Sequence, residues 1–317
     1  MKKIKYAKNT GVSGWELRER LKLPLEIKIN MSLQRIRQWY EYYKGNVYIS
    51  FSGGKDSTVL LDLARSIYPN IPAVFSNTGL EWPEIMLFIR ETENVTWLKP
   101  KLHFTEVIER YGYPVVSKEI AKKIHDLQNP TERNKRTIFL RMGNEISRDG
   151  KFHIGMVSKK WLFLKDAPFK ISSSCCDVMK KRPFKIYEKK TGRIPIIGTM
   201  ASEGKFRMSN YLKNGCNAFN SNRPISTPIS FWTEEDIWEY LRKFNVPYSK
   251  IYDMGYDRTG CVFCCFGTHM EQKKGMNRFQ RMYETHPSLW KFCMNKLNLK
   301  EVCDYVGIKT KPRKVKY

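Results

Sequence analysis

Val47-Tyr48-Ile49-Ser50-Phe51-Ser52-Gly53-Gly54-Lys55-Asp56-Ser57-Thr58 is the stretch on which the reading of this chain turns. A short apolar run (47–51) leads into two glycines, and an apolar-periodic segment (59–67) follows. The order reads strand, glycine turn, helix. Such a turn aims backbone N–H groups and a helix N-terminus at one spot, which suits a phosphate or pyrophosphate. Gly53 and Gly54 let the backbone approach an anion with no Cβ in the way. Lys55 supplies charge, Ser52, Ser57 and Thr58 supply hydroxyls, and Asp56 is placed to hold a Mg2+ ion that neutralises the phosphates. The G-x-x-x-x-G-K-[ST] spacing of a Walker A loop is absent. The plainer alternative is a polar strand-to-helix turn with no ligand.

Bulk composition narrows the class. The 317 residues carry 57 Lys+Arg against 31 Asp+Glu, a formal charge of +26, with a pI near 9.7. An excess of this size points to a polyanionic partner, with a merely solvated basic surface as the alternative. No run reaches the 18 or so apolar residues of a membrane span, so no membrane partner is expected. Met1-Lys2-Lys3-Ile4-Lys5 leads into no apolar signal core, so a cytoplasmic location is expected. Eight cysteines in such a chain read as thiols or metal ligands rather than disulfides.

Three segments are expected. Residues 1–45 form a basic helical extension in which Leu33, Ile36, Trp39, Tyr40 and Tyr43 recur at helical spacing, with Ser32 as N-cap. Residues 46–230 form a nucleotide-binding α/β core with further strands at 73–76, 95–98 and 194–197. Ligands of open parallel sheets sit at the carboxyl ends of strands, so Asn77-Thr78-Gly79 should lie beside the Ser52 loop. Within this core residues 118–193 carry 20 Lys/Arg against 8 Asp/Glu, the composition of a basic substrate-binding insert. Residues 231–317 form a helical, cysteine-rich segment opening at Thr233, with Asp236 as its capping-box partner and a basic end at 309–316.

Several blocks together resemble the phosphoadenosine phosphosulfate (PAPS) reductase family of the PP-loop, or N-type ATP pyrophosphatase, superfamily. They are residues 52–58, Phe75 to Glu81, Cys175-Cys176-Asp177-Val178-Met179-Lys180, Ile197 to Glu203 with Arg207, and Gly260-Cys261-Val262-Phe263-Cys264. The resemblance implies a Rossmann-like adenine-nucleotide α-hydrolase fold with a parallel sheet of about five strands. It implies that Ser52, Gly53, Gly54, Lys55, Asp56, Ser57 and Thr58 hold the phosphates of ATP. Asn77, Thr78 and Gly79 would border the adenosine, and Gly198, Thr199 and Arg207 would close the far side. Asn77 stands where an aspartate is common in the family, and Met200 where an arginine is common. The intact Gly53-Gly54-Lys55-Asp56 centre is similar to that of members that release pyrophosphate. The Glu-Cys-Gly segment that carries the reductase nucleophile has no counterpart in Lys311-Pro312-Arg313-Lys314-Val315-Lys316-Tyr317.

Cys175-Cys176 and, 84 residues on, Cys261-x-x-Cys264 resemble the ligands of iron–sulfur members of the family, which hold a [4Fe–4S] cluster. Four soft thiolates suit a cubane or a tetrahedral zinc ion, and buried free thiols are the third reading. Cys265 is read as a spare ligand, a sulfur carrier or a packing residue, and Cys216 as an exposed thiol in a turn. Cys293 and Cys303 are read as core positions on helices. His269 is a structural residue or an acid/base group near the cluster. The resemblance is greatest to DNA phosphorothioation and tRNA thiolation enzymes. It implies adenylation of a substrate with release of pyrophosphate, then sulfur transfer, with Lys55 and Asp56 as catalytic stabilisers. Sulfonucleotide reduction with release of sulfite is the alternative activity, and a non-catalytic nucleic-acid-binding regulator is the third reading. Expected partners are nucleic acid (DNA or tRNA), contacted in part through Lys180-Lys181-Arg182, a sulfur donor such as a cysteine desulfurase, and a second copy of the chain.

Overall fold

The computed structural model describes residues 11–151 and 153–312. Its strands are β1 (Val47–Ser50), β2 (Ala73–Ser76), β3 (Val95–Leu98), β4 (Val115–Val116), β5 (Ile194–Ile197), β6 (Asn217–Ala218), β7 (Ile225–Ser226) and β8 (Cys265–Phe266). The sheet order is β3-β2-β1-β5-β7-β6, with β4 and β8 in a separate two-stranded pair. Five strands of the larger sheet run parallel, and β6 adds an antiparallel edge. This is the Rossmann-like α/β fold expected.

The chain divides into two compact units. The first holds the described residues up to Asn77 together with Trp82–Leu98 and Phe184–Thr259. Its core is the larger sheet, with Tyr48, Ile49, Val74 and Ile196 fully buried. From β1 the chain steps outward through β2 to β3, and β5 then joins the opposite side of β1 with Ser50 paired to Ile197. The strand order therefore reverses between β1 and β5, the place where doubly wound sheets bind ligands. Helices Lys55–Ile67 and Pro83–Glu91 make the crossovers.

Helices Gly14–Lys22 and Leu25–Tyr42, read from sequence as part of a separate extension, belong to this unit. Ser32 is a buried mid-helix residue rather than an N-cap: its hydroxyl donates to Pro228 O (3.1 Å) and accepts from Trp232 Nε1 (2.9 Å). Burial of an aromatic partner outweighed the local capping preference of serine, and the helix begins at Leu25 after Pro24. Lys28, 1% exposed, donates to Asp236 Oδ2 (2.6 Å) and Leu21 O (2.8 Å), which ties this helix to Glu234–Lys243. The capping box there is present: Thr233 N–H donates to Asp236 Oδ2 (2.6 Å), and Asp236 N–H to Thr233 Oγ1 (3.3 Å).

The second unit holds Thr78–Glu81, Lys99–Pro183 and the described residues from Gly260 onward. Most of the basic 118–193 segment thus lies with the C-terminal helices, and the boundary drawn from sequence at 230/231 is not where the chain divides. Val115 and Val116 pair in parallel with Cys265 and Phe266. Gly112 (φ +93°) admits a close approach that no side chain would tolerate, since an added Cβ would sit 2.2 Å from the carbonyl of Lys170. That approach lets Tyr113 N–H donate to Lys170 O (2.8 Å) and Ser172 N–H to Tyr113 O (3.2 Å), fixing the strand that leads to Cys175. The expectations for Met1 to Lys5 and for the end of the basic tail, Arg313 to Tyr317, concern residues outside the described ones.

Candidate functional site

The phosphate-type loop is built as its residues dictate. Gly53 (φ +69°) makes the turn, and Gly54 is the N-cap of helix Lys55–Ile67. Ser57 Oγ donates to Gly54 O (2.9 Å) and accepts from Ser52 N–H (3.2 Å), while Thr58 Oγ1 donates to Gly54 O (3.1 Å). The hydroxyls of Ser57 and Thr58 therefore shape the loop from within. Gly198, the residue after β5, packs on the loop so closely that a Cβ would lie 2.9 Å from Asp56 O. Thr199 follows, with its N–H on Ile197 O (3.1 Å) and its carbonyl facing the Ser230 hydroxyl (3.4 Å).

Lys55 is buried, with Nζ on Glu234 Oε1 (3.0 Å) and Asp257 O (3.2 Å) and 3.9 Å from Asp56 Oδ1. Burial works against its charge, but Asp56 and Glu234 outweigh it and raise its pKa. Asp56 is the unusual member. Its Oδ1 is buried and has no hydrogen-bond partner. Burial raises its pKa above the ordinary carboxylate value, against the pull of Lys55, while Glu234 adds to the rise and Arg207 and Arg258 oppose it. A buried carboxylate oxygen without a donor is an atom that a divalent cation would satisfy, so this residue fits Mg2+. Arg207 pairs with Glu203, as does Arg258 at 3.6 Å. The loop, Gly198 and Arg207 thus meet in one unit. Asn77 ends β2 in the same unit, with its N–H on Leu98 O (2.9 Å), whereas Thr78 and Gly79 belong to the second unit.

Four residues here were not singled out from sequence. Tyr252 OH accepts from Lys55 N–H (2.8 Å), which occupies one of the helix N-terminal donors. Thr259 Oγ1 lies 3.3 Å from that hydroxyl, and Glu234 and Arg258 complete the charges around Asp56. They come from positions roughly 180 to 200 residues downstream of the loop, with no motif to mark them.

The cysteines form a second site, wholly inside the second unit. Cys175, Cys176, Cys261 and Cys264 line one partly open cavity, walled also by Leu80, Phe104, Met179 and Phe263, with Lys180 on its wall. Cys175 and Cys176 sit on the helical turn Ser174–Cys176, which runs into a widened π-type turn, Asp177–Lys181. Cys264 N–H donates to Cys261 O (3.0 Å), and Val262 N–H to Leu80 O (2.8 Å), so the C-x-x-C loop is fastened to the 78–81 segment. Arg278 donates to Cys264 O (3.2 Å) and Phe266 O (3.1 Å) and is itself held by Glu271.

The thiols feel one another. The Cys175 thiol donates to Cys176, which lowers Cys176 to about 6 against its burial, with help from Lys118, Lys180 and Lys181. Cys175 is driven up by the same bond, by burial and by the charges of Cys176, Cys264 and Cys261. Burial pushes Cys264 up to about 12. Ionising Cys175 and Cys264 in this buried place is opposed by burial and by their neighbours, and a bound metal centre would relieve that opposition. Among the described residues no three or more His, Cys, Asp or Glu gather tightly enough for a single metal ion. The four thiols share one cavity, and as soft donors they have the chemistry that would suit an iron–sulfur centre.

The remaining cysteines stay outside this cavity. Cys265 is fully buried, with Sγ 4.0 Å from Cys303 Sγ, and Cys293 is buried nearby. Cys216, expected to be exposed, is buried, and burial pushes its thiol up to about 11; the turn after Gly215 tucks it inward instead of displaying it. His269 packs edge-on against Trp161 (centroids 5.2 Å apart) and does not line the cavity. Lys180 is a wall of the cavity, with its pKa raised chiefly by Cys261, so it is not part of an open basic surface. Arg182 pairs with Asp177 (2.9 Å).

The chain is similar to several known proteins. An uncharacterized protein of Methanocaldococcus jannaschii is 27% identical over 267 residues, covering 82% of this chain and 50% of the relative. An adenosine 5'-phosphosulfate reductase of Staphylococcus epidermidis is 24% identical over 237 residues, covering 72% of this chain and 74% of the relative. The PAPS reductase of Candida auris in its phosphate complex superposes with a TM-score of 0.43 at 15% identity, covering 79% of this chain and 96% of that one. The chain spans about half the length of the two Methanocaldococcus relatives it matches. No helix of the described residues is long and apolar enough to cross a membrane. The phosphoadenosine phosphosulfate reductase domain matches residues 46–138 and 155–266, well over half of the chain and both sites described above, and the chain belongs to that family.

Proposed function

We propose that this chain is an enzyme that splits ATP into AMP and pyrophosphate by adenylating an acceptor, and so prepares that acceptor for sulfur transfer. The observation that carries the reading is Asp56: a buried carboxylate oxygen with no hydrogen-bond partner, at a helix N-terminus, beside Lys55, Arg207 and Arg258. That grouping suits a metal-bound polyphosphate better than it suits a sulfate ester. An acceptor oxygen attacks the α-phosphorus, the bond to the α–β bridging oxygen breaks, and pyrophosphate leaves with the electron pair. Lys55 and Arg207 stabilise charge on the phosphates, Gly53 and Gly54 let backbone N–H groups approach, and Asp56 would hold Mg2+, which neutralises the leaving group when bound. A hydrosulfide equivalent from a sulfur donor then attacks the centre that carries the adenylated oxygen, and AMP departs.

The cysteine cavity supports a [4Fe–4S] cluster on Cys175, Cys176, Cys261 and Cys264, with Lys180 as a buried counter-charge. When bound, such a centre supplies electron or sulfur chemistry. The formal +26 supports a nucleic-acid acceptor. In this reading the enzyme works in the cytoplasm with a sulfur donor such as a cysteine desulfurase.

A second reading, sulfonucleotide reduction, is favoured by the relative named adenosine 5'-phosphosulfate reductase, which aligns over 72% of the chain. Anaerobic protein given ATP with DNA or tRNA should release AMP and pyrophosphate. The same protein given adenosine phosphosulfate and thioredoxin should release no sulfite. Sulfite without pyrophosphate would replace the first reading with the second.

A further inference from the structure

Helix Lys205–Asn214 is anchored at one end only. Its far half is held: Tyr211 is buried with its hydroxyl accepting from Arg20 Nη1 (2.8 Å), and Leu212 O accepts from Val12 N–H (2.7 Å). Its near half has no buried face, because residues 204–210 are all exposed. A helix on a globular protein ordinarily buries a stripe along its length. Here nearly two turns stand bare, and Phe206 is 91% exposed, the highest value among the exposed large apolar side chains.

The surroundings say what would cover that ring. Phe206 lies between Lys205 and Arg207, and the Arg207 charge acts on the Asp56 carboxyl. Arg258, which also acts on Asp56, adds a further cation. An apolar protein surface gains little beside these cations. An unpaired nucleobase meets both features at once, with a π face for the ring and a phosphate for the flanking charge. Bases in a duplex have their faces covered, so the fit is to a single strand.

We propose that Phe206 is a stacking platform for an unpaired base of a single-stranded nucleic acid, with Lys205 on a neighbouring phosphate, so that the acceptor strand is held next to the Asp56 site. This rests on the reading above that the acceptor is a nucleic acid. It is independent of whether ATP is the second substrate.

The test uses the full chain and fluorescein-labelled 12-nucleotide single strands of DNA and of RNA, with the same DNA sequence as a duplex. Phe206→Ala should weaken single-strand binding by about tenfold, and Phe206→Trp should restore it. Duplex binding should not follow this pattern. Lys205→Glu should reduce the salt slope of single-strand binding by at least about 0.7. Preference for one of the two single strands would tell whether the acceptor is DNA or RNA. Equal single-strand binding by wild type and Phe206→Ala would overturn the platform, as would an equal loss on the duplex. A tenfold loss of ATP affinity in Phe206→Ala would also overturn it, since the ring would then belong to the nucleotide site. The predicted Phe206 dependence in a chain that forms no pyrophosphate would keep the platform and refute ATP cleavage.

Discussion

The two sites differ in how their chemistry is assembled. The loop of the first unit is continuous in sequence: six residues supply the turn, the helix N-cap, the lysine and the carboxylate. The cysteine cavity of the second unit draws on four separated stretches, around Leu80, from Phe104 to Pro114, around Cys175 and around Cys261. The loop is polar and holds an ungratified carboxylate, whereas the cavity is walled by aromatic and aliphatic side chains. A contiguous motif keeps its form through local hydrogen bonds, so changes there should alter chemistry more than folding. A site built from distant segments has fewer such local ties, and a bound centre would add to them.

The largest expected effect is on the cavity. Cys176→Ser in anaerobically purified protein should cut iron from about four per chain, the content of one cubane, to below about one. The same change at Cys216, Cys293, Cys303 or Cys265 should leave iron unchanged, because none of those lines the cavity. Iron loss in the Cys265 variant would mean that the wrong member of Cys264-Cys265 faces the centre. Stoichiometric zinc without sulfide would remove the contrast altogether.

Next in size is a structural contact of the first unit. Lys28→Ala strips the partner from Asp236 in a pair whose side chains are 2% and 11% exposed. Breaking such a buried pair should cost about 3 kcal/mol, read from urea unfolding. A change under about 1 kcal/mol would show that neither the ion pair nor the Lys28 bond to Leu21 O fastens the N-terminal helices.

Within the loop itself, Lys55→Ala should slow pyrophosphate release at least tenfold, about 1.4 kcal/mol of transition-state stabilisation. Iron content should not change. Unaltered turnover in a folded variant would leave Lys55 as a structural tie to Glu234 and Asp257.

The smallest effect carries a sign. Burial raises the Asp56 pKa in the folded protein, so folding is penalised as pH rises past the ordinary carboxylate value and fully so above the folded value. Below both values the carboxyl is neutral in either state and the penalty vanishes. Asp56→Asn should therefore stabilise the metal-free protein by about 1 kcal/mol at pH 7 and hardly at all near pH 3, while removing turnover. Destabilisation at pH 7 would show that Asp56 is held by its arginines rather than waiting for a cation.

The same contrast explains what could be read from sequence. The strands Ala73–Ser76, Val95–Leu98 and Ile194–Ile197 carry apolar runs bounded by turn residues, and each forms where those runs lie. The loop was legible because all its residues are neighbours. The four cavity cysteines were legible only as a spacing, and their meeting depends on Gly112 admitting Lys170 and on Arg278 gripping two carbonyls. Ser32 misled because its partner, Trp232, is 200 residues away. Tyr252, Glu234 and Arg258 carried no signal, since a hydroxyl or a charge acquires its role here only from the tertiary fold.

The proposed role of the Asp56 loop, cleavage of ATP between its α and β phosphates, can be tested directly. The anaerobic protein should be given [α-³²P]ATP, Mg2+ and single-stranded nucleic acid, and the labelled product separated by chromatography. Labelled AMP should form, free or joined to the acceptor, with equimolar pyrophosphate, and both should be lost in Lys55→Ala. Labelled ADP, or unchanged ATP in a preparation that releases sulfite from adenosine phosphosulfate, would contradict it.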